Sequence, residues 1–154
     1  YIKNVLEATK TLLKNPNDLD ARGIIMMGAS LSTSSRIGIG KEEAYAYDIY
    51  ELEFLPEKLF GSSYRRSLTS IFPRFLEAMG KRHAEDVGKY YLDVFGFDSS
   101  IEESSRKLVA LFSDFGVDMY YDGIINREQV GCIPCDTELD ENEIFEMING
   151  VIRK

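Results

Sequence analysis

Apolar residues recur at helical spacing over nearly the whole chain, and this periodicity limits its fold more than any other feature. The first such stripe consists of Ile2, Val5, Leu6, Leu12 and Leu13. Residues three and four positions apart lie on one face of an α-helix, where they can pack together. No segment alternates apolar and polar residues convincingly in the manner of a strand. The sequence therefore predicts an all-α, multi-helix bundle of about seven helices.

The expected helices follow one another along the chain, separated by loops and helix breakers. The first contains the stripe from Ile2 to Leu13 and is ended by Asn15-Pro16. The others span about Leu19–Ser32, Lys41–Leu55, Tyr64–Met79 with an interruption at Pro73, Arg82–Phe95, Ile101–Phe115 and Glu141–Ile152. Residues 56–63 are predicted to break the third helix, and residues 116–139 to be irregular apart from one short helical turn. Gly80, Gly96 and Gly116 occupy positions typical of helix C-caps.

The segment Leu19–Ser32 is apolar on nearly all sides. It also carries several small residues, which let neighbouring helices approach closely: Ala21, Gly23, Gly28, Ala29 and Ser30. Asn17 or Asp18 can cap its first turn. We therefore expect this segment to form a buried central helix.

Length and charge set further limits. The 154 residues fit one domain, so we expect residues 1–154 to form a single helical domain. A net charge of −8 argues against a nucleic-acid partner. No apolar stretch approaches the ~20 residues of a membrane span, and no signal peptide or disulfide framework is visible. These features predict a soluble, cytoplasmic protein without a membrane partner, and a chain that starts in helical pattern without Met hints at a fragment.

Two motifs resemble metal or redox sites. Cys132 and Cys135 have the C-x-x-C spacing of a redox pair or of half a zinc site. Neither a βαβ context nor a second ligand pair accompanies them, so two incidental loop cysteines are the preferred interpretation. His83 is the only histidine and lies in a charged helix start, where we expect a solvated side chain. With one histidine, the chain cannot build a typical catalytic zinc site.

Two further segments could receive an anion. Gly38-Ile39-Gly40-Lys41 precedes a helix, and free backbone N–H groups beside a lysine favour phosphate. The segment lacks the full phosphate-loop spacing and a preceding strand, so a plain turn is preferred. Arg65 and Arg66 can pair either with an anion or with acidic helices, and the second pairing is the more common.

Tyrosines concentrate around one predicted helix and the loop that follows it. They are Tyr45, Tyr47, Tyr50 and Tyr64. Tyr47 and Tyr50 lie three residues apart and share a helix face. Spacing alone favours aromatic core packing, with the hydroxyl groups reaching polar partners.

The order of several short motifs resembles the iron-containing (group III) alcohol dehydrogenases. The segment that ends in residues 17–22, NDLDAR, resembles the family's N-x-x-D-x-x-A-R segment, and a helix of small residues follows in both. The remaining matches are Gly38-Ile39-Gly40, Tyr50-Glu51-Leu52, Tyr64 through Ile71-Phe72-Pro73, Val94-Phe95-Gly96, Phe115-Gly116-Val117 and Leu139 through Ile144. Their order and spacing cover nearly the whole chain.

The resemblance implies a larger, two-domain parent. In that family an N-terminal α/β domain binds NAD(P), and a C-terminal helical domain related to that of dehydroquinate synthase holds a divalent metal in the cleft. This chain resembles the later part of that helical domain. The implied partners are its own N-terminal nucleotide-binding domain and a small alcohol or aldehyde. Apolar area on the cleft side can also drive self-association into a homo-oligomer.

The family's histidines in this region are missing from the chain. By the resemblance, the H-x-x-x-H pair maps onto Ala46 and Tyr50, and the last ligand histidine maps onto Tyr64. A phenol is neutral at pH 7 and is an uncommon ligand for zinc or iron. We therefore expect no metal in this chain, with Ala46, Tyr50 and Tyr64 facing the vacated cleft.

Three functional hypotheses remain open at this point. The parent is an NAD(P)-dependent oxidoreductase in which Tyr50 or Tyr64 hydrogen-bonds the substrate carbonyl in place of the metal. Alternatively, it is a degenerate relative with a structural, assembly or regulatory role, or the chain is an unrelated helical interaction module. The isolated chain is expected to be inactive as a dehydrogenase in each case.

Overall fold

The computed structural model describes residues 1–32, 48–133 and 137–153. The helices in these ranges are α1 Ile2–Lys14, α2 Leu19–Ser32, α3 Asp48–Leu52, α4 Phe54–Phe60, α5 Tyr64–Met79, α6 Ala84–Tyr90, α7 Ile101–Asp114, α8 Arg127–Gly131 and α9 Glu141–Asn149. Tyr91–Phe95 continues α6 as a π-helical turn. Over the same ranges no strand forms, and the nearest approach to one is an isolated parallel bridge between Tyr121 and Ile152. The expected all-α fold is confirmed.

None of the helices within the described ranges has both the length and the apolar character required to cross a membrane.

The chain divides into two compact units, Tyr1–Ala46 and Tyr47–Lys154. Each unit is described separately below. The single domain expected over residues 1–154 stays a prediction.

In the first unit, α1 packs against α2. Gly28 permits their close approach, because a Cβ atom there would lie 2.7 Å from Cγ2 of Val5. Asp18 caps α2, its Oδ1 accepting a hydrogen bond of 2.9 Å from the backbone N–H of Ala21. The predicted end of the first helix at Asn15 and the predicted start of the second are therefore confirmed.

The expectation that α2 is a buried central helix was wrong. Only Ala21 and Gly28 of this helix are buried. Most of its large apolar side chains are exposed: Leu19, Ile24, Met26 and Met27. Within the described part of this unit α2 packs against α1, and one neighbouring helix covers only the side that faces it.

In the second unit, α5 is the central helix and packs against α3, α4, α6, α7 and α9. Fully buried core side chains include Leu52 on α3, Leu55 on α4, Ile71 on α5, Ile148 on α9 and Val151 just after α9. A smaller cluster forms around Val87, Tyr91 and Leu108, where α6 and α7 meet α5.

Two prolines behave differently from expectation. Helix α5 runs uninterrupted from Tyr64 to Met79 with Pro73 inside it. Pro73 is fully buried, and its carbonyl oxygen accepts a hydrogen bond of 3.0 Å from Oγ of Ser105 on α7, so tertiary packing holds the helix together. Pro56 does not break a helix either, because it lies in the first turn of α4, where no backbone N–H is required.

All three glycines lie at or directly after the C-cap of a helix, as predicted, and two of them adopt the left-handed conformation. Gly96 and Gly116 have φ angles of 73° and 85°, the left-handed conformation that glycine adopts easily after a helix. Gly80 keeps a right-handed conformation with φ −62°. Its small size serves packing instead, because an added Cβ would lie 2.6 Å from Cδ1 of Ile101.

Tyr121 joins the irregular segment after α7 to α5 and to the end of the chain. Its hydroxyl is hydrogen-bonded to Oγ of Ser62 at 2.9 Å and to Oγ of Ser70 at 3.0 Å, and its ring stacks on Phe60 with centroids 4.7 Å apart. The guanidinium carbon of Arg66 lies over the Tyr121 ring, 4.4 Å from its centroid. The backbone carbonyl oxygen of Tyr121 accepts a hydrogen bond of 2.9 Å from the backbone N–H of Arg153.

We predict that Tyr121→Phe destabilises the protein by about 1–3 kcal/mol, because it leaves the buried hydroxyl of Ser70 without one of its partners. Urea unfolding should show a lower midpoint with an unchanged m-value. Tyr120→Phe, at the neighbouring half-buried position, is the control and should change the free energy of unfolding by less than about 0.5 kcal/mol. Equal midpoints for the two variants would contradict the role given to the Tyr121 hydroxyl.

Candidate functional site

The structure brings together two of the three site residues predicted from the sequence. Tyr50 lies on α3 and Tyr64 begins α5, with exposed fractions of 41% and 49%. Removal of the Tyr64 hydroxyl from water is the largest cause that raises its pKa, and the charges of Glu53, Tyr50 and Glu57 follow in that order. Ala46, like Tyr45 and Tyr47, lies outside the described residues.

Between these tyrosines the structure reveals a residue that the sequence analysis missed. Glu53 links α3 to α4, and its backbone N–H donates a hydrogen bond of 3.0 Å to the carbonyl oxygen of Ile49, so the helical path continues through it. The side chain is only 3% exposed. Its Oε2 atom has no hydrogen-bond partner within the described part of the chain.

The surroundings of Glu53 favour its neutral form. Burial is the largest cause and the charges of Glu57 and Glu51 follow, and together they raise the pKa of the Glu53 carboxyl to about 7. A carboxyl group with this pKa exchanges its proton close to neutral pH. Groups of this kind are frequent in catalytic and binding sites.

We define the acidic–tyrosine cluster as Tyr50, Glu51, Glu53, Glu57 and Tyr64. Tyr50, Glu53 and Glu57 lie three and four residues apart along one helical path, which places them on the same side. Tyr64 joins them through the packing of α5 against α3 and α4. In this cluster the raised pKa of Tyr64 keeps its phenol a protonated hydrogen-bond donor at neutral pH, and Glu53 is the group that can exchange a proton.

No pattern in the sequence distinguishes Glu53 from its neighbour Glu51. Both flank Leu52, and only the packing makes Glu53 buried and Glu51 half-buried. The available signal was an acidic residue within an apolar stretch that also contains Leu52 and Leu55.

His83, Cys132 and Arg66, which the sequence also singled out and the structure describes, do not belong to this cluster. His83 is exposed, as predicted, with Nε2 3.3 Å from Oε2 of Glu138. Cys132 is an exposed free thiol, and Cys135 lies outside the described residues, as does the segment 38–41. Arg66 pairs with an acidic residue, as the more common alternative predicted, at 2.8 Å from Oδ2 of Asp118.

Among residues 1–32, 48–133 and 137–153, no three His, Cys, Asp or Glu side chains are grouped so that they could hold a metal ion. The expectation of a metal-free chain stays a prediction.

A groove of about 560 Å³ lies along α5 and α9. Its charged side chains pair with one another, as in Arg74 with Glu77 at 2.9 Å and Lys81 with Glu143 at 3.9 Å. None of the residues predicted as site residues lines it. The acidic–tyrosine cluster therefore remains the candidate functional site.

Comparison with known proteins gives no match, since no family model, no curated protein and no solved structure is significantly similar to this chain.

The raised pKa of Glu53 predicts that stability falls as pH rises. The folded state binds a proton more tightly than the unfolded state, so the stabilisation is complete below pH 4.5 and is lost as pH rises through about 7. The gap between these two values corresponds to about 3 kcal/mol at most. Urea unfolding of the protein at pH 5 and pH 8 should show this decrease, and Glu53→Gln should remove most of it.

Glu143→Gln is the matched control. Hydrogen bonds from Arg82 are the largest cause that lowers the pKa of Glu143, so its contribution has the opposite sign and is lost as pH falls. This variant should leave the decrease between pH 5 and pH 8 in place. If Glu53→Gln retains the full decrease, Glu53 does not have the environment described above.

Proposed function

We propose that this chain is the C-terminal helical domain of a cytoplasmic NAD(P)-dependent oxidoreductase that resembles the iron-containing alcohol dehydrogenases and lacks their metal-ligand histidines in this segment. The observation that supports the proposal is the proximity of Tyr50, Tyr64 and the buried Glu53. The two tyrosines are the positions that the resemblance assigns to the metal site. Tyr50 and Tyr64, which belong to two separate motifs of the resemblance, thus lie in one cluster with a carboxyl group that can exchange a proton.

The proposed roles follow from the ionisation of each group. NAD(P), held by the parent's nucleotide-binding domain, supplies the hydride chemistry. The Tyr64 hydroxyl donates a hydrogen bond to the substrate carbonyl oxygen, and its raised pKa keeps it protonated for this task. Glu53 resupplies a proton, because its carboxyl pKa of about 7 matches the working pH better than a phenol does. The Tyr64 hydroxyl gives its proton to the oxygen of the alcohol product, and Glu53 restores that proton to the Tyr64 phenolate.

A second candidate function is a non-catalytic relative with a structural, assembly or regulatory role. The observation that favours it is the same raised pKa of Tyr64, because a phenol whose proton is held more tightly is a poorer proton donor to a carbonyl. In this alternative the cluster contributes to the cleft without taking part in turnover.

We predict that the full-length protein carrying this chain reduces aldehydes with NAD(P)H and that a chelator does not change the rate. Tyr64→Phe should lower kcat/KM by about 10²-fold, because it removes the hydrogen bond to the carbonyl oxygen. The measurement is the loss of NAD(P)H absorbance over a panel of aldehydes. Tyr120→Phe serves as the control and should retain activity.

Two results would contradict the proposal. Turnover that disappears with chelator and returns with Zn²⁺ or Fe²⁺ would show that a metal still carries the reaction. An absence of turnover over the whole panel, with the protein folded and NAD(P) bound, would favour the non-catalytic alternative.

A further inference from the structure

The groove along α5 and α9 lies between two segments that run in opposite directions. At one end Gly150 packs against Arg74. At the other end Nζ of Lys81 lies 3.9 Å from Oε1 of Glu143. Seven residues separate these contacts on each segment, which is about 10 Å along a helix axis. The groove volume of about 560 Å³ is within the range of small-molecule sites.

Arg74 presents unused hydrogen-bond donors in this groove. Its side chain is only 23% exposed, and Nη1 donates a hydrogen bond of 2.9 Å to Oε2 of Glu77. Its Nε and Nη2 atoms donate no hydrogen bond within the part of the chain that the structure describes. These two atoms form one edge of the planar guanidinium, and such an edge matches the two oxygens of a carboxylate.

Gly150 leaves this edge of Arg74 uncovered. An added Cβ atom at position 150 would lie 3.3 Å from both Nε and Cδ of Arg74, which is closer than an ordinary contact. The backbone of Gly150 has a φ angle of −68°, which any residue adopts. The glycine therefore provides space beside the guanidinium rather than an unusual backbone conformation.

Lys81 adds a second positive charge to the groove. Its Nζ atom is beyond hydrogen-bonding distance of Glu143, whose two carboxylate oxygens already accept hydrogen bonds of 2.8 and 2.5 Å from Arg82. The third cation of the groove, Arg153, is held by two aspartates outside it. Arg74 therefore offers the donor geometry, and Lys81 supports it electrostatically.

The remaining lining limits what kind of anion the groove accepts. The carboxylates of Glu77, Glu143 and Glu146 also line it, so a multiply charged anion meets more repulsion than a singly charged one. Ala78 and Met147, which are 6% and 3% exposed, supply apolar surface between the charged side chains. This combination suits a single carboxylate on a hydrocarbon body.

We propose that the groove between α5 and α9 binds a small organic monocarboxylate, whose two oxygens accept hydrogen bonds from Nε and Nη2 of Arg74 and whose hydrocarbon body lies over Ala78 and Met147. The site is separate from the proposed function, because no residue of the acidic–tyrosine cluster lines the groove. Binding requires neither NAD(P) nor aldehyde reduction.

The test is an NMR titration of the 154-residue chain with benzoate, followed through the Nε–H signal of Arg74 and the backbone N–H signal of residue 150. We expect saturable shifts with half-saturation below about 10 mM. Benzamide keeps the ring but has no charge, and it should give no saturable shift. Inorganic phosphate should bind at least about tenfold more weakly than benzoate, because the groove carboxylates repel its second charge.

Two variants test the geometry of the site. Arg74→Lys keeps the positive charge but loses the two-atom edge, and should weaken benzoate binding by about tenfold. Gly150→Ala keeps every charge and should weaken binding by a similar factor, because its methyl group occupies the space beside Nε. Gly88→Ala on α6, where an added Cβ atom has no neighbour within 4 Å, is the matched control and should bind normally. Circular dichroism checks that each variant is folded.

Equal shifts with benzamide, or unchanged affinity of folded Arg74→Lys, would overturn this inference. If Arg74→Lys does not fold, Gly150→Ala decides the question, and full affinity in that variant would overturn the inference as well. Tighter binding of phosphate than of benzoate would overturn the assignment to a monocarboxylate.

Discussion

Helix α5 packs against five other helices of the second unit, and the side chains on its surface determine how closely those helices can approach. Its buried positions include small residues, Ser67, Ser70 and Ala78, which let neighbouring helices come close. The hydroxyl of Ser70 has two partners, the carbonyl oxygen of Ser67 and the hydroxyl of Tyr121, whereas the buried hydroxyl of Ser67 has none among the described residues. Packing and hydrogen bonding around α5 therefore depend on each other. The start of α5 also supplies Tyr64, so the candidate site is built on the most constrained element of the unit.

Two glutamates illustrate how strongly this arrangement controls ionisation. Glu143 receives hydrogen bonds of 2.8 and 2.5 Å from the guanidinium of Arg82, which lower its pKa. Glu53 has acidic neighbours and a buried side chain, which raise its pKa to about 7. Both residues lie at the start of a helix, where the macrodipole favours a negative charge. At Glu53 the effect of burial on the pKa is larger than the effect of the helix dipole. The reason is that α4 has only seven residues, whereas the carboxyl group is removed from water.

The sequence predicted the elements whose stability comes from their own periodicity. Long stripes placed α1, α2, α5, α7 and α9 close to their observed bounds, because an amphipathic helix shows its period in any context. Contacts between distant segments were not predictable. Pro73 was expected to interrupt a helix that the hydroxyl of Ser105 and burial keep intact, and α2 was expected to be buried, whereas most of its large apolar side chains are exposed. Within the candidate site, Tyr50 and Tyr64 were found through a resemblance, whereas Glu53 was missed because its burial depends on tertiary packing alone.

The bridge between Tyr121 and Ile152 has a consequence for how the protein is made. Val151, the core residue beside this bridge, is 2% exposed, and its carbonyl oxygen accepts a hydrogen bond of 2.8 Å from the N–H of Tyr121. A ribosome releases the chain from its N-terminal end, so α5 emerges long before the residues that complete its core. The part of α5 that α7 and α9 cover therefore stays exposed until those helices have been made. A chaperone that binds extended apolar segments would have most of the second unit's synthesis time in which to act.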